Sequence, residues 1–382
     1  MNKSLEYIPG IDFLRAISVL LVFLFHLEIP FFKSGYLGVD IFFVISGFLI
    51  TGILREEFEA TGKIYFLNFY KRRILRLYPA FLSTLTLTVV SSFILFPKDL
   101  LKRILETAAF SSVYLSNVYL WLKNSYFSKV AYENPLLHTW SLSIEEQFYL
   151  VWPLVLISIF LFQKRRVKFV LLFLFLFSVS LNLLAFFNNQ TVYRLFGPDI
   201  LQFLNSKGHD TFFYLTPFRM FELVAGSCAY FLKEKIQKRE ARYLIVVSLS
   251  LMISGLLFGH FAEEWSFSSA FLVVLGCGSI LVILPNKNNL SFSPILFSLL
   301  KIGKMSYSIY LIHLPVIVIY RYQKFLPLNL LDFLLITVIV LVFSLLQYTV
   351  IENPFRAATK NLRSSTVIIV FIATSLFSYV FF

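Results

Sequence analysis

The segment LRAISVLLVFLFHLEIP, residues Leu14–Pro30, is strongly apolar, yet it carries an arginine, Arg15, and a histidine, His26. A bilayer has a hydrocarbon core of about 30 Å, which about 20 helical residues cross. Ionisable side chains are costly in that core, so those that occur there usually have a function. The segment therefore predicts a membrane-spanning helix with one chemically active face.

The rest of the chain repeats this apolar pattern. Of its 382 residues, 58% are hydrophobic and only 14% are charged, a composition typical of a polytopic membrane protein. Apolar runs lie at 11–29, 37–54, 77–96, 143–162, 167–187, 212–232, 243–261, 267–284, 305–320, 329–350 and 366–382. We expect an all-α membrane bundle, with a membrane domain over residues 1–360, an additional transmembrane helix within 361–382 and no soluble domain.

Charge predicts the orientation. The net charge is +13, but the basic residues lie in short clusters between apolar runs, so they indicate topology rather than nucleic-acid binding. The excess of Lys and Arg in alternate loops places the N-terminus in the cytoplasm, and an odd number of spans places the C-terminus outside. The first helix lacks the features of a cleaved signal peptide, so we expect it to be retained. Segments 97–142 and 188–211 then lie outside and are expected to cap an outward-facing cavity.

Several function classes have no support in the sequence. It has no Walker loop, no H-E-x-x-H and no G-x-S-x-G motif, so neither a nucleotide-hydrolysing pump nor a metalloprotease is indicated. The two cysteines, Cys228 and Cys277, lie in apolar runs and suggest neither a metal site nor a disulfide.

The first two helices suggest a catalytic pair. Arg15 and His26 are eleven residues apart, which puts them on nearly the same helix face and about 16 Å apart along the axis. Asp40 follows the short turn as closely as His26 precedes it, so we expect the two to meet. A carboxylate orients an imidazole and stabilises its charged form, as a general base requires. The alternative is a purely structural polar contact between the helices.

A third acidic residue lies in HTWSLSIEEQFYLVWP, residues 138–153. Glu145 shares a helix face with Tyr149 and Trp152, so we expect it to join His26 and Asp40. The alternative is a carboxylate at the membrane rim that reaches water.

The segment FYKRRILRLYP predicts a short basic helix before the third span. Arg72, Arg73 and Arg76 lie three and four residues apart, a spacing suited to several phosphate oxygens at once. Anchoring by lipid headgroups is the alternative.

Further polar residues lie in later spans. Arg219 and Glu222 have the i,i+3 spacing of a structural ion pair. His313 is either an interhelical hydrogen-bond donor or a catalyst. In IENPFR, Glu352 and Arg356 are interpreted as a capping or interface pair.

Seven stretches together resemble the acyltransferase-three family of integral membrane O-acyltransferases. In family order they are IDFLRAISVLLVFLFH, GYLGVDIFFVISGFLI, FYKRRILRLYPA, HTWSLSIEEQFYLVWP, FRMFELVAGS, IGKMSYSIYLIHLP and IENPFR. The resemblance covers about residues 6–360. The family's arginine and histidine, separated by ten residues, match Arg15 and His26. Its R-x-x-R loop motif matches Arg73 and Arg76.

The resemblance implies ten core helices that move acyl groups, commonly acetyl from acetyl-CoA, onto a cell-surface or lipid-linked glycan such as surface polysaccharide, lipopolysaccharide O-antigen or peptidoglycan. Arg15, Arg72, Arg73 and Arg76 would bind the acyl-CoA phosphates, and His26 would be a general base or a covalent acyl carrier, supported by Asp40 and Glu145. No metal is implied. Some members also carry an extracytoplasmic hydrolase-like domain; we expect none in this chain, so an extracytoplasmic partner protein is one expectation and independent action the other. The competing hypothesis is a transporter or flippase in which the buried charges form a proton relay.

Overall fold

All the regular secondary structure that could be assigned in the described part of the chain is helical. The computed structural model describes residues 7–123, 126, 128–162, 166–187, 209–233, 238–262, 264–284, 294–324 and 327–358. The predicted all-α fold class is confirmed. The predicted helix at 366–382 and most of the segment 188–211 lie outside the described residues.

The predicted spans within these residues all coincide with helices. The long helices are α1 (Pro9–His26), α2 (Gly38–Thr61), α3 (Phe66–Leu95), α7 (Thr139–Phe162), α8 (Val167–Phe187), α10 (Thr216–Leu232), α11 (Lys238–Phe261), α12 (Phe267–Ile283), α14 (Ser306–Lys324) and α15 (Leu330–Gln347). Shorter helices are α4 (Lys98–Ser112), α5 (Ser116–Lys123), α6 (Lys129–Tyr132), α9 (His209–Tyr214), α13 (Pro294–Lys304) and α16 (Asn353–Ala358).

The helix lengths agree with a multi-pass membrane protein. By length and composition, six helices of the described ranges could cross a membrane: Pro9–His26, Gly35–Thr61, Phe66–Leu95, Thr139–Leu161, Glu240–Phe261 and Leu330–Ala357. On the last of these, apolar side chains such as Leu331, Leu334 and Val338 are exposed, as a lipid-facing surface requires.

The chain divides into two compact units. Unit 1 comprises the described residues of Met1–Ile64 and Ile144–Lys304, and unit 2 those of Tyr65–Ser143 and Met305–Phe382. Helix α7 contributes its first residues to unit 2 and the remainder to unit 1.

Glycines allow the helices of unit 1 to approach closely. A Cβ atom on Gly47 of α2 would lie 1.8 Å from the carbonyl oxygen of Leu223 on α10, and one on Gly226 would lie 1.9 Å from that of Val44. Because no larger residue fits at either position, α2 and α10 pack backbone to backbone. The side chains that follow on each helix are thereby brought into contact.

In unit 2, helix α14 packs against α3. The Tyr307 hydroxyl donates a hydrogen bond to the carbonyl of Leu77 over 2.9 Å. Helix α15 ends in a π-helical turn, Tyr348–Glu352, which packs with α16 against α3. The Ser308 hydroxyl donates to the Glu352 carboxylate over 2.6 Å, so a buried carboxylate ties this turn to α14.

Candidate active site

His26 ends α1 and is buried, with 3% of its surface exposed. Its Nδ1 lies 2.9 Å from the carbonyl oxygen of Val22, one turn earlier in the helix. A carbonyl oxygen only accepts hydrogen bonds, so Nδ1 carries the proton and the neutral ring has its lone pair on Nε2. The Phe25 ring and the imidazole lie edge to face, with centroids 5.1 Å apart. The backbone of α1 therefore fixes the tautomer of His26.

Asp40 lies in a fully buried charged cluster of unit 1. Its Oδ1 lies 3.4 Å from an Nη atom of Arg219, whose Nε lies 3.0 Å from Glu222 Oε1. The Trp265 indole N–H donates to Asp40 Oδ1 over 3.4 Å. The Arg219 guanidinium also lies over aromatic rings, with its Cζ 4.6 Å from the Trp265 ring centroid and 5.5 Å from that of Phe43. The expected Arg219–Glu222 pair is thus present, and Asp40 belongs to the same cluster.

The expected contact between His26 and Asp40 is wrong, and the register of α1 against α2 explains why. Two short 3₁₀ turns, Pro30–Phe32 and Gly35–Leu37, join the helices, so the connection is not a symmetric hairpin. Gly38 already lies against the Ser18 carbonyl and the Val22 side chain. Asp40 is therefore level with about residue 18 of α1, roughly 12 Å along the axis from His26. A catalytic role for Asp40 stays a prediction.

Glu145 belongs to α7 and contacts α2 at a third level, beyond that of Asp40. The Ser46 hydroxyl donates to Glu145 Oε1 over 2.6 Å. Ser46 follows Asp40 by six residues, which is about 9 Å of helix. The expected single layer of His26, Asp40 and Glu145 is therefore spread over three levels, because each carboxylate has a nearer partner. Whether Glu145 takes part in catalysis stays a prediction.

The predicted donor-binding arginines lie on two helices. In unit 1, Arg15 Nη1 is 3.9 Å from Asp12 Oδ1, and its side chain is 23% exposed. In unit 2, Arg72, Arg73 and Arg76 lie half-buried near the start of α3. The predicted basic segment is helical, but it is the first part of α3 and not a separate short helix before the span. The guanidinium of Arg73 lies 5.8 Å from the centroid of the Phe69 ring. Phosphate binding by these arginines stays a prediction.

Trp265 was missed at the sequence level. The bond from its indole N–H to Asp40 joins residues 225 positions apart, so no local periodicity signals it. The only available hint is a tryptophan in the polar turn before α12, because a buried indole N–H needs a hydrogen-bond acceptor.

The buried imidazole of α1 and the arginines of α1 and α3 agree with comparisons to known proteins. A family profile described as an acyltransferase domain, that of the acyltransferase-three family, matches residues 8–349. The chain belongs to this acyltransferase-three family. The resemblance seen in the seven sequence stretches is thereby confirmed.

Relatives of this family member occur in Staphylococcus aureus. The O-acetyltransferase OatA of strain NCTC 8325 is 33% identical over 367 residues, which cover 92% of this chain and 58% of OatA. A protein of strain COL that bears the provisional name of an O-acetyltransferase is 32% identical over 368 residues, which cover 93% of this chain and 58% of that protein. The chain thus spans little more than half the length of these relatives. No solved structure matches the chain.

Proposed function

We propose that this family member is a membrane O-acyltransferase. It moves an acyl group, in the first instance acetyl, from acyl-CoA to hydroxyls of a cell-surface or lipid-linked glycan such as O-antigen, exopolysaccharide or peptidoglycan. The observation that carries the proposal is the buried imidazole of His26, held in one tautomer by the Val22 carbonyl on the helix that also bears Arg15. The names of the Staphylococcus aureus relatives support O-acetylation in particular.

His26 performs the chemistry in one of two ways. As a general base, Nε2 takes the proton of the acceptor hydroxyl, the C–O bond of the ester forms, the C–S bond of the thioester breaks, and the proton passes to the CoA sulfur. As a carrier, Nε2 forms the C–N bond of an acyl-imidazolium while the C–S bond breaks and CoA leaves as the thiolate. The ester C–O bond then forms as the C–N bond breaks, and the proton of the hydroxyl passes to the thiolate. Both routes need the lone pair on Nε2.

The guanidinium groups bind the donor. CoA carries several phosphate groups, and arginine suits phosphate because its planar fork donates two parallel hydrogen bonds. We assign this role to Arg15 and, separately, to Arg72, Arg73 and Arg76. We further propose that the N-terminus faces the cytoplasm, where acyl-CoA is made, that the C-terminus lies outside and that the protein resides in the cell (inner) membrane.

A deletion strain tests the proposal in cells. Loss of the gene should remove O-acetyl groups from a surface glycan, as measured by mass analysis, and the wild-type gene should restore them. The variant His26→Gln should restore none, whereas His260→Gln, a control on α11, should restore all. Surface glycans that are identical with and without the gene would contradict the proposal.

A transporter is the second candidate, favoured by the buried cluster of Asp40, Arg219 and Glu222, since intramembrane charges of this kind also line transport pathways. It predicts substrate movement without CoA release. Measuring CoA release together with acceptor acylation separates the two functions.

A further inference from the structure

A positive charge with no role assigned so far lies where helix α13 crosses the first turn of α1. Both helices belong to unit 1. A Cβ atom on Gly303 would lie 1.8 Å from the carbonyl oxygen of Asp12, so only a glycine fits at this crossing. The residue that follows, Lys304, is exposed and ends α13. The backbone contact therefore places an ammonium group beside the start of α1.

The ammonium group of Lys304 lies against the ring of Tyr7. Its Nζ is 5.4 Å from the centroid of that ring. The Tyr7 hydroxyl donates a hydrogen bond to Asp12 Oδ2 over 2.7 Å. Lys304 forms no salt bridge within the part of the chain that the structure describes. Because an exposed aromatic ring is a weak substitute for an anion, the charge of Lys304 is available to a ligand.

Arg15 adds a second positive charge one turn along α1. Its Nη1 lies 3.9 Å from Asp12 Oδ1, which is too long for a hydrogen bond. Its Nε is buried and has no hydrogen-bond partner among the described residues. A buried nitrogen without an acceptor is costly, so this guanidinium group is suited to a ligand that carries acceptor oxygens.

The local charge balance and the exposure of these side chains favour a soluble anion. Arg15 and Lys304 carry two positive charges, whereas Asp12 supplies one negative charge that already accepts the Tyr7 hydroxyl. Tyr7 is 58% exposed and the side chain of Arg15 is 23% exposed. The positive charges are therefore open to water without any movement of the helices.

The order of these residues along α1 indicates which part of acyl-CoA each would meet. Arg15 lies between Asp12 and His26 in the helix, and Lys304 reaches Tyr7, which precedes the helix. In acyl-CoA the order from the thioester is the pantetheine arm, the pyrophosphate and then the adenosine with its 3′-phosphate. With the thioester at His26, the pyrophosphate would reach Arg15 and the 3′-phosphate would lie beyond it, toward Lys304.

We propose that Lys304 binds the 3′-phosphate of the acyl-CoA adenosine, while Arg15 binds the pyrophosphate. This assignment rests on the proposed function and extends its donor site to α13. A phosphate monoester carries a charge of about −1.5 to −2 at neutral pH, so it attracts a compact ammonium group strongly. The Tyr7 ring keeps that group beside α1.

A donor that lacks the 3′-phosphate tests the assignment. With the full chain in proteoliposomes, the KM for acetyl-dephospho-CoA should be about three- to tenfold higher than that for acetyl-CoA, between the effects of a charged hydrogen bond and of an exposed ion pair. Lys304→Ala should raise the KM for acetyl-CoA by a similar factor. It should leave the KM for acetyl-dephospho-CoA and both kcat values unchanged. Lys304→Arg, which keeps the charge, should retain the difference between the donors.

Lys301→Ala is the matched control. Lys301 lies one turn earlier on α13, and its Nζ is 4.6 Å from the centroid of the Phe297 ring of the same helix. The variant removes the same charge from the same helix, so the KM for each donor should stay at its wild-type value. An equal rise of the acetyl-CoA KM in Lys301→Ala and Lys304→Ala would indicate a general effect of surface charge and would overturn the assignment.

Lipid headgroups also carry phosphate, and vesicle composition separates the two sources. The effect of Lys304→Ala should be the same in vesicles with and without anionic lipid. An effect that appears only with anionic lipid would assign Lys304 to the membrane surface and overturn the proposal. An effect of equal size on both donors would overturn it as well, because the variant would not distinguish the 3′-phosphate.

The outcomes also distinguish the two proposals. A wild-type protein that transfers acetyl from neither donor contradicts the proposed function itself. A wild-type protein that uses both donors with the same KM contradicts only the 3′-phosphate site.

Discussion

At the scale of single residues, the hydrogen bond between His26 Nδ1 and the Val22 carbonyl orients the imidazole ring. Asp40 instead shares Arg219 with Glu222 inside unit 1. This cluster contains two carboxylates and one guanidinium group. Removal of one carboxylate therefore leaves an ion pair of opposite charges, whereas removal of the guanidinium leaves buried negative charge.

Variants of this cluster should therefore differ in their effects. We expect Arg219→Met to destabilise the protein by about 3–5 kcal/mol, because two buried carboxylates lose their countercharge. Asp40→Asn should be milder and should retain acyl transfer, since the Val22 carbonyl still orients His26. Thermal unfolding in detergent and a transfer assay on the folded protein measure the two effects. A folded Asp40→Asn protein as inactive as His26→Gln would restore a direct catalytic role for Asp40.

Arg73 lies half-buried beside the Phe69 ring and is expected to bind donor phosphate. Arg73→Ala should raise the KM for acetyl-CoA about tenfold or more, because a charged hydrogen bond contributes about 1.5–3 kcal/mol. The comparison Arg103→Ala, on α4, should not change it. Vesicles with and without anionic lipid provide the decisive measurement: a KM effect confined to anionic vesicles would assign Arg73 to lipid headgroups instead.

At the scale of helices, the positions of the spans could be predicted and their partners could not. Apolar length alone determines where a chain crosses a bilayer, so every predicted span in the described residues coincides with a helix. Contacts such as Trp265 with Asp40 depend on how distant helices pack, which sequence spacing does not encode. For the same reason, counting residues from the turn between α1 and α2 did not predict the level of Asp40 along α1. Gly38 packs directly on α1, which shifts Asp40 away from His26.

The close packing of α2 and α10 gives a prediction at this scale. Gly47→Ala places a Cβ where the Leu223 carbonyl oxygen lies, so the helices must separate, at a cost of about 1–3 kcal/mol. The matched control is Gly278→Ala on α12, where the nearest atom to the added Cβ is 4.0 Å away. Thermal unfolding should show a lower midpoint for Gly47→Ala and little change for Gly278→Ala. Equal midpoints would contradict the close packing of α2 and α10.

At the scale of the whole molecule, the proposed donor route depends on which ends of the helices face the cytoplasm. The turn between α1 and α2 contains Phe31, 86% exposed, and the turn between α2 and α3 contains the exposed Lys63. Basic residues are more frequent on the cytoplasmic side, so Lys63 should lie inside and Phe31 outside.

Cysteine labelling tests this orientation. In a background without Cys228 and Cys277, a membrane-impermeant maleimide should label Phe31→Cys in intact cells. It should label Lys63→Cys only after the membrane is opened. The reverse pattern would place the arginines of α3 on the side away from cytoplasmic acyl-CoA and would contradict the proposed donor route.

Nε2 of His26 is proposed to catalyse the transfer of an acyl group from CoA to a sugar hydroxyl. The most direct measurement uses purified protein in proteoliposomes with acetyl-labelled acetyl-CoA and a glycan acceptor, following acceptor label and free CoA together. We predict one CoA released for each ester formed, and a fall of about 10²- to 10⁴-fold in both for His26→Gln. Undiminished ester formation by a folded His26→Gln protein would contradict the account.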